Sequence, residues 1–288
     1  MAELGEWTAE FNGLVMGEPD SAISIVAVDG LLSLPDIRTA DQTLVQRHGL
    51  WPGDDYLNGR TVTMTLEVYG STGDEFTKAL TAVQAAFLPA GDEKPFRFRL
   101  PGAAADRTAY LKARPRKRSA PLDLSFAYRV CNVVVELFAT DPKIYGQEAR
   151  KVTAKSSVRP PLDGGFTFPA TVPFTVKGSS APPADPITRF TQWGSVPARP
   201  VIEFRDAKNP VLRDDATGQW FGVRFDGACT ADSAAQVVRL MDGTDVTGLV
   251  MTGSTWPEYA SGDHRLRLTH DNEFSAASAA LTWTDEWV

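Results

Sequence analysis

The pattern of apolar and polar positions changes character along the chain, and one stretch holds both characters side by side. Residues 48–70 read HGLWPGDDYLNGRTVTMTLEVYG. The first half mixes aromatics, prolines, glycines and acids without a period. The second half alternates: Val62, Met64, Leu66 and Val68 point one way, and Thr61, Thr63, Thr65 and Glu67 the other. A period of two predicts an antiparallel strand with one buried face. The aperiodic half predicts an arm rather than an element.

Further strands are expected at SAISIVAV, FRFRL, AYLKARP and AYRVCNVVVELFA. One helix stands out in STGDEFTKALTAVQAAFLP. Thr72 and Glu75 have capping-box spacing, with Gly73 and Asp74 as rival caps. Phe76, Leu80, Val83 and Phe87 share a face, and Pro89 stops the run. Such a stripe predicts a helix lying across a sheet. The first region therefore reads as an α+β domain, residues 1–148.

Residues 149–199 form a Pro-rich connector with the first sandwich strands, carrying RPP, FPATVPF and APPADP. Proline donates nothing to a sheet ladder, so edge strands or a crossover are expected there. Residues 200–288 read as short strands, PVIEF, QWFGVRF, QVVRLM, GLVMT, HRLRLTH and AALTWTDEW, separated by Gly/Asp turns. That pattern predicts a C-terminal β-sandwich, galectin-like or carbohydrate-binding-module-like. The fold class is mainly β.

Composition narrows the function classes. The 288 residues are 43% hydrophobic and 23% charged, enough for two cores in an ordinary soluble protein. No segment has the apolar length of a membrane span. The first residues, MAELGEWTAEFNG, lack a basic start and an apolar core, so synthesis in a host cytoplasm without a signal peptide is expected. The net charge of −7 weighs against specific nucleic-acid binding. The basic run KARPRKR at residues 112–118 reads as a solvated strand end or turn. Cys131 and Cys229 are far apart, which argues against a disulfide framework or a thiolate metal site.

Candidate chemistry is sparse, and no catalytic residue, metal site or cofactor is predicted. The three histidines are His48 in the arm and His264 and His270 flanking a strand. The latter two fall on one face, but they read as polar strand ends. Asp54–Asp55 and Asp214–Asp215 read as turn acids, and DGTD at residues 242–245 as a tight turn rather than a calcium loop. Trp220, Trp256 and Tyr259 are candidate saccharide contacts, with the sandwich core as their other reading.

The order of the motifs resembles one family. LPDIRTADQTLVQRHGLWPGDDYLNGRTVTMTLEVYG, the capped helix, FRFRLPG and VVVELFATDPKIYG resemble the N-terminal domain of siphophage distal tail proteins, especially those of actinobacteriophages. GGFTFPATVPF, GSVPARPVIEFRDAKNPVLRDDATGQWFGVRF and AALTWTDEWV resemble the link and C-terminal sandwich of that family. RFTQWGS departs from it where an Asn-Gly turn is expected.

The resemblance implies a virion structural protein of a non-contractile tail, made in the host cytoplasm. It implies a homohexameric ring at the distal end, between the tail tube protein and the tail-tip hub protein, with no membrane partner. Head-to-tail contacts close such a ring. The arm of residues 34–58 is then expected to reach a neighbouring subunit. Trp51 and Tyr56 would anchor it, with Asp54, Asp55 and Arg60 in the contact. Two rivals remain at this stage. One is a sandwich that reads a host surface saccharide through its tryptophans. The other is a β-rich hydrolase with two facing carboxylates, for which no motif is present.

Overall fold

A computed structural model describes residues 3–158, 186–272 and 275–288. The expected link GGFTFPATVPF lies outside the described residues. The chain divides into two compact units, residues 1–148 with 286–288, and residues 149–285. Mainly β structure holds in both.

In the first unit, β1 (Thr8–Phe11), β2 (Leu14–Met16) and β3 (Ile23–Asp29) precede the arm. The arm carries β4 (Ile37–Arg38), β5 (Gln42–Thr43), β6 (Leu50–Trp51) and β7 (Tyr56–Leu57). Then come β8 (Arg60–Tyr69), helix α1 (Gly73–Ala86), β9 (Lys94–Arg99), β10 (Ala109–Ser119), β11 (Val130–Ala139) and the start of β12 (Ile144–Lys155). β8 pairs with β3 and β11, and the second half of β10 pairs with β11. The first half of β10 pairs instead with β9, which pairs with β1 and so with β2. One long strand thus serves two sheets. The basic run belongs to that strand, not to a turn.

The alternation of β8 is obeyed: Val62, Met64, Leu66 and Val68 are all buried. Phe11, Phe87, Phe96 and Phe98 meet them in the core, where Phe11 and Phe87 stack at 5.2 Å. Helix α1 is capped by Thr72, whose Oγ1 accepts the Glu75 amide at 3.2 Å. Glu75 reaches back to the Ser71 amide at 2.8 Å, which is one residue beyond the partner that a capping box uses. Phe76 and Val83 face the core as the stripe predicts. Cys131 is buried, and desolvation followed by the Asp123 charge raises its thiol.

The second unit continues β12 and adds β13 (Thr188–Gln192), β14 (Val201–Lys208), β15 (Val211–Asp214) and β16 (Trp220–Gly222). β17 (Asp226–Asp232), β18 (Val237–Leu240), β19 (Gly262–Thr269) and β20 (Ser278–Trp287) complete it. One sheet runs β18–β17–β14–β20 and the other β13–β19–β15–β16. Phe204, Phe221, Leu266, Leu268 and Leu281 fill the space between them, which makes a sandwich. The expected strand GLVMT is instead a 3-10 turn (Thr247–Leu249), held by the Asp245 carboxylate on the Thr247 amide at 2.9 Å. β17, DGACTAD, carries only small apolar residues and was not legible as a strand. Cys229 sits in it, and burial pushes its thiol up to about 11.

Candidate functional site

Two places in the molecule gather polar and aromatic side chains beyond what packing requires. They are the arm in the first unit and a buried cluster around His264 in the second.

The arm is a two-stranded ribbon, not the irregular segment its sequence predicts. Ile37 and Arg38 pair with Leu57 and Tyr56, and Gln42 and Thr43 pair with Trp51 and Leu50. Gly53 donates to Asp41 Oδ1 at 2.8 Å, and the Asn58 amide to Asp36 O at 2.8 Å. The ribbon forms because Gly53 lets its backbone pass Ala40 closely; a Cβ there would lie 2.3 Å from the Ala40 oxygen. Arg38 lies over the Tyr56 ring at 5.7 Å.

Among the described residues nothing in the unit covers this ribbon. Across residues 36–58 every side chain is exposed except half-buried Leu44. Trp51 is 65% exposed and Val45, at the tip, 85%. A two-stranded ribbon alone is marginal in water. Exposed Ile37, Val45, Leu50, Trp51, Tyr56 and Leu57 leave an apolar surface of the kind that marks interaction sites. Trp51, Tyr56, Asp54 and Asp55 are therefore all open to a partner.

Arg60 is not. It is 1% exposed, so its expected place in a subunit contact is corrected. Its Nη1 donates to Gly30 O, Leu31 O and Ser33 O at 2.6, 2.9 and 2.8 Å, and its Nε to Pro142 O at 2.8 Å. The burial of a cation without a counter-charge lowers its pKa. Arg60 ties the corner that leads into the arm to the corner after β11. Its role is to hold the arm's root, and with partners 27 to 82 residues away no local spacing announces it.

In the second unit, His264 Nδ1 lies 2.7 Å from Asp214 Oδ2, and Nε2 lies 2.8 Å from Ala260 O. Both partners are acceptors, so only the doubly protonated ring donates to both. Burial raises the Asp214 carboxyl, but the His264 bond, the Ala216 and Arg265 amides and the His264 charge hold it below the usual range. Phe190, Tyr259 and Trp283 enclose the pair; the Phe190 ring lies 5.1 Å from His264 and 5.0 Å from Trp283. Trp283 Nε1 bonds Gln192 Oε1 and Asp285 Oδ1, each at 3.0 Å. His264 and Asp214 are thus a buried, satisfied pair rather than the strand-end and turn polars their sequence suggests. A partly open pocket lined by Arg189, Phe190, Thr191, Asp263, His264 and Arg265 lies beside the pair, but both His264 ring nitrogens and both Asp214 oxygens are already engaged by partners within the unit.

The saccharide candidates separate. Tyr259 is 4% exposed, and burial followed by the Asp214 charge raises its hydroxyl, so it has no ring face for a sugar; that expectation is corrected. Trp256 is half-buried against Phe221 at 4.8 Å, and half-buried Trp220 lies opposite Arg213. His270 Nε2 bonds Ser275 O at 3.1 Å, away from His264. Among the described residues no group of His, Cys, Asp and Glu has metal-site geometry, and no helix is long and apolar enough to cross a membrane.

Two mainly β units, with a capped helix on the first and a sandwich in the second, make a fold known from phage adsorption apparatus. The solved structure of phage SPP1 Dit (gp 19.1) has it. That protein is described as a paradigm of the hub adsorption apparatus in phages that infect Gram-positive hosts. The likeness covers 98% of this chain and 99% of that one, with a TM-score of 0.58 at 13% identity. This chain has the Dit fold. Two structures of the phage P2 baseplate in its activated conformation are looser likenesses. The one with Ca covers 91% of each chain at 7% identity, TM-score 0.39. The one with Sr covers 96% of each at 8%, TM-score 0.41. No family model and no curated protein matches the sequence.

Proposed function

We propose that this chain is a structural protein of the distal tail of a long-tailed phage. Copies assemble through the first unit into a ring, six in number by the family resemblance, which joins the tail tube to the tail-tip hub. The observation that carries the reading is the arm: 23 consecutive residues, 36–58, folded as a ribbon with one half-buried side chain among them. Such a segment gains its stability from a partner surface. The Dit fold over nearly the whole of both chains supports placing that partner in a tail tip.

Light scattering with negative-stain imaging tests it. The intact chain is expected to form a closed ring with a central hole. A chain whose residues 36–58 are replaced by a short Gly-Ser linker is expected to stay monomeric. Equal masses for the two chains would contradict the reading.

A further inference from the structure

The arm needs a receiving surface, and the first unit presents one at its far end. β8 begins with Arg60 at the arm's root and ends at Tyr69. Arg60 pairs with Ala139 and Tyr69 with Val130, so the loop of residues 120–129 before β11 lies at the Tyr69 end. Ten strand residues place the two ends roughly 30 Å apart.

That loop is apolar and held by its own hydrogen bonds. Phe126 tucks inward, edge-on to Phe76 at 5.6 Å. Asp123 accepts the Ser125 amide at 2.9 Å and starts a 3-10 turn (Leu124–Tyr128). Arg129 closes it in the left-handed region, φ 62°, with its amide on Phe126 O at 3.0 Å. With Phe126 held inside, Leu122, Leu124 and Tyr128 stand outside, 84%, 76% and 70% exposed, and exposed Tyr69 ends the paired strand. A loop fixed by its own bonds loses little entropy when a partner lands on it. No folding role explains three large apolar side chains held in water on a fixed turn.

The charges are complementary. Residues 36–58 hold four acids, Asp36, Asp41, Asp54 and Asp55, against Arg38 and Arg47. The loop is flanked by Arg116, Lys117 and Arg118 before it and Arg129 after it, with Asp123 the one acid within. Arg118 is steadied by donating to Gln84 O. Arg116 lies over the Phe138 ring at 5.2 Å, so these cations are held in place on the strand that leads into the loop.

We infer that the arm of one copy docks on the loop of residues 120–129 of the next copy. This rests on the arm-mediated assembly proposed above and names its second surface. Trp51, Tyr56 and Leu50 meet Leu122, Leu124 and Tyr128, while the arm's acids face Lys117, Arg118 and Arg129. Two different surfaces at opposite ends of one strand make a head-to-tail contact, which closes into a ring when its rotation is right.

Mixing two full-length variants tests this. One carries the Gly-Ser linker in place of residues 36–58; the other carries Leu122→Ser, Leu124→Ser and Tyr128→Ser. Native circular dichroism is required of both, and the gentler pair Lys117→Glu and Arg118→Glu serves as a second loop variant. Neither variant alone is expected to associate, whereas an equimolar mixture gives a 1:1 pair, since each supplies what the other lacks. The charge-reversal variant is expected to dissociate at least about tenfold more readily at low salt. If the loop variants assemble like the intact chain, or the mixture stays monomeric, the loop is not the receiving surface and the inference fails while arm-mediated assembly stands. If the arm-deleted chain assembles normally, or the intact chain is monomeric at every concentration, both readings fall.

Discussion

The arm and the His264 cluster are built from the same kinds of side chain and have opposite fates. In the arm, Trp51 and Tyr56 stand beside Asp54 and Asp55 in water. In the second unit, Trp283 and Tyr259 stand beside Asp214 and Asp285 in the core. The difference is what each polar atom finds. Asp214 has His264, Ala216 and Arg265 as donors, and the Trp283 indole donates to Gln192 and Asp285. A buried polar group is tolerated only when so satisfied. Among the described residues the arm's aromatics have no such enclosure; in the proposed assembly a neighbouring copy supplies it. On that proposal, stability lives in one region and association in the other.

Substitutions can separate the two properties. The largest effect is expected from removing one partner of the buried pair. Asp214→Ala or His264→Ala should destabilise the second unit by about 3–5 kcal/mol, because the remaining group is left buried and uncompensated. Thermal unfolding reads this, and the mass of any assembled particle made from protein that still folds should be unchanged. An altered mass would break the division.

Arg60→Met comes next. It removes four donations to backbone carbonyls, and a loss of roughly 3 kcal/mol from the first unit is expected. Because those carbonyls include Gly30, Leu31 and Ser33, faster proteolysis within residues 31–59 should accompany it. A variant with ordinary cleavage there would show that Arg60 does not hold the arm's root.

Thr72→Ala should cost α1 about 1 kcal/mol through its lost cap. Trp51→Ala should be smallest in stability, within about 0.5 kcal/mol for the isolated chain, since the side chain is mostly in water. In association the order reverses. Trp51→Ala should weaken self-assembly at least about tenfold, as loss of an aromatic anchor does, while Thr72→Ala leaves it unchanged. Sedimentation at graded concentrations distinguishes them.

Acid should weaken the second unit through Asp214. Asp214's carboxyl is held below its ordinary value in the folded state. The unfolded chain therefore binds that proton more readily. The stabilisation is whole above the unfolded pKa, about 3.9, and is lost as pH falls through the folded value. Urea midpoints measured on the acid side should show this limb in the intact chain and a flatter one in Asp214→Asn.

Much of the fold was legible because period and burial agree. The Val62–Val68 alternation, the Phe76–Val83 stripe and the Gly/Asp turns after residue 200 each describe a surface that packs within the chain. Where that agreement was missing, reading failed in both directions. β17 buries only small residues and carries too weak a pattern to see. The arm's short ladders bury nothing, so its strands left no period at all. GLVMT carries an apolar run, but Asp245 curls it into a 3-10 turn instead.

The sites follow the same logic. The exposure of Trp51 and Tyr56 was legible because aromatics in an aperiodic segment have no core to fill. Arg60 was misplaced because a charge beside an arm reads as surface, and only the three-dimensional meeting of Gly30–Ser33 with Pro142 shows what it binds. Asp214 and His264 lie 50 residues apart, and no local spacing announces that β15 and β19 bring them together. Tyr259 had a saccharide reading and a core reading, and its bridge to Ala198 and burial decide for the core.

The most direct measurement is amide hydrogen exchange across a dilution series, read residue by residue. In dilute, monomeric protein the arm's amides should exchange nearly as fast as unfolded chain, because its ladders are unsupported. Raising the concentration should slow exchange at residues 36–58, while amides around Asp214 and His264 stay protected throughout. Arm protection that is high and independent of concentration would show that the arm is stable alone, and would contradict the claim that a neighbouring copy completes it.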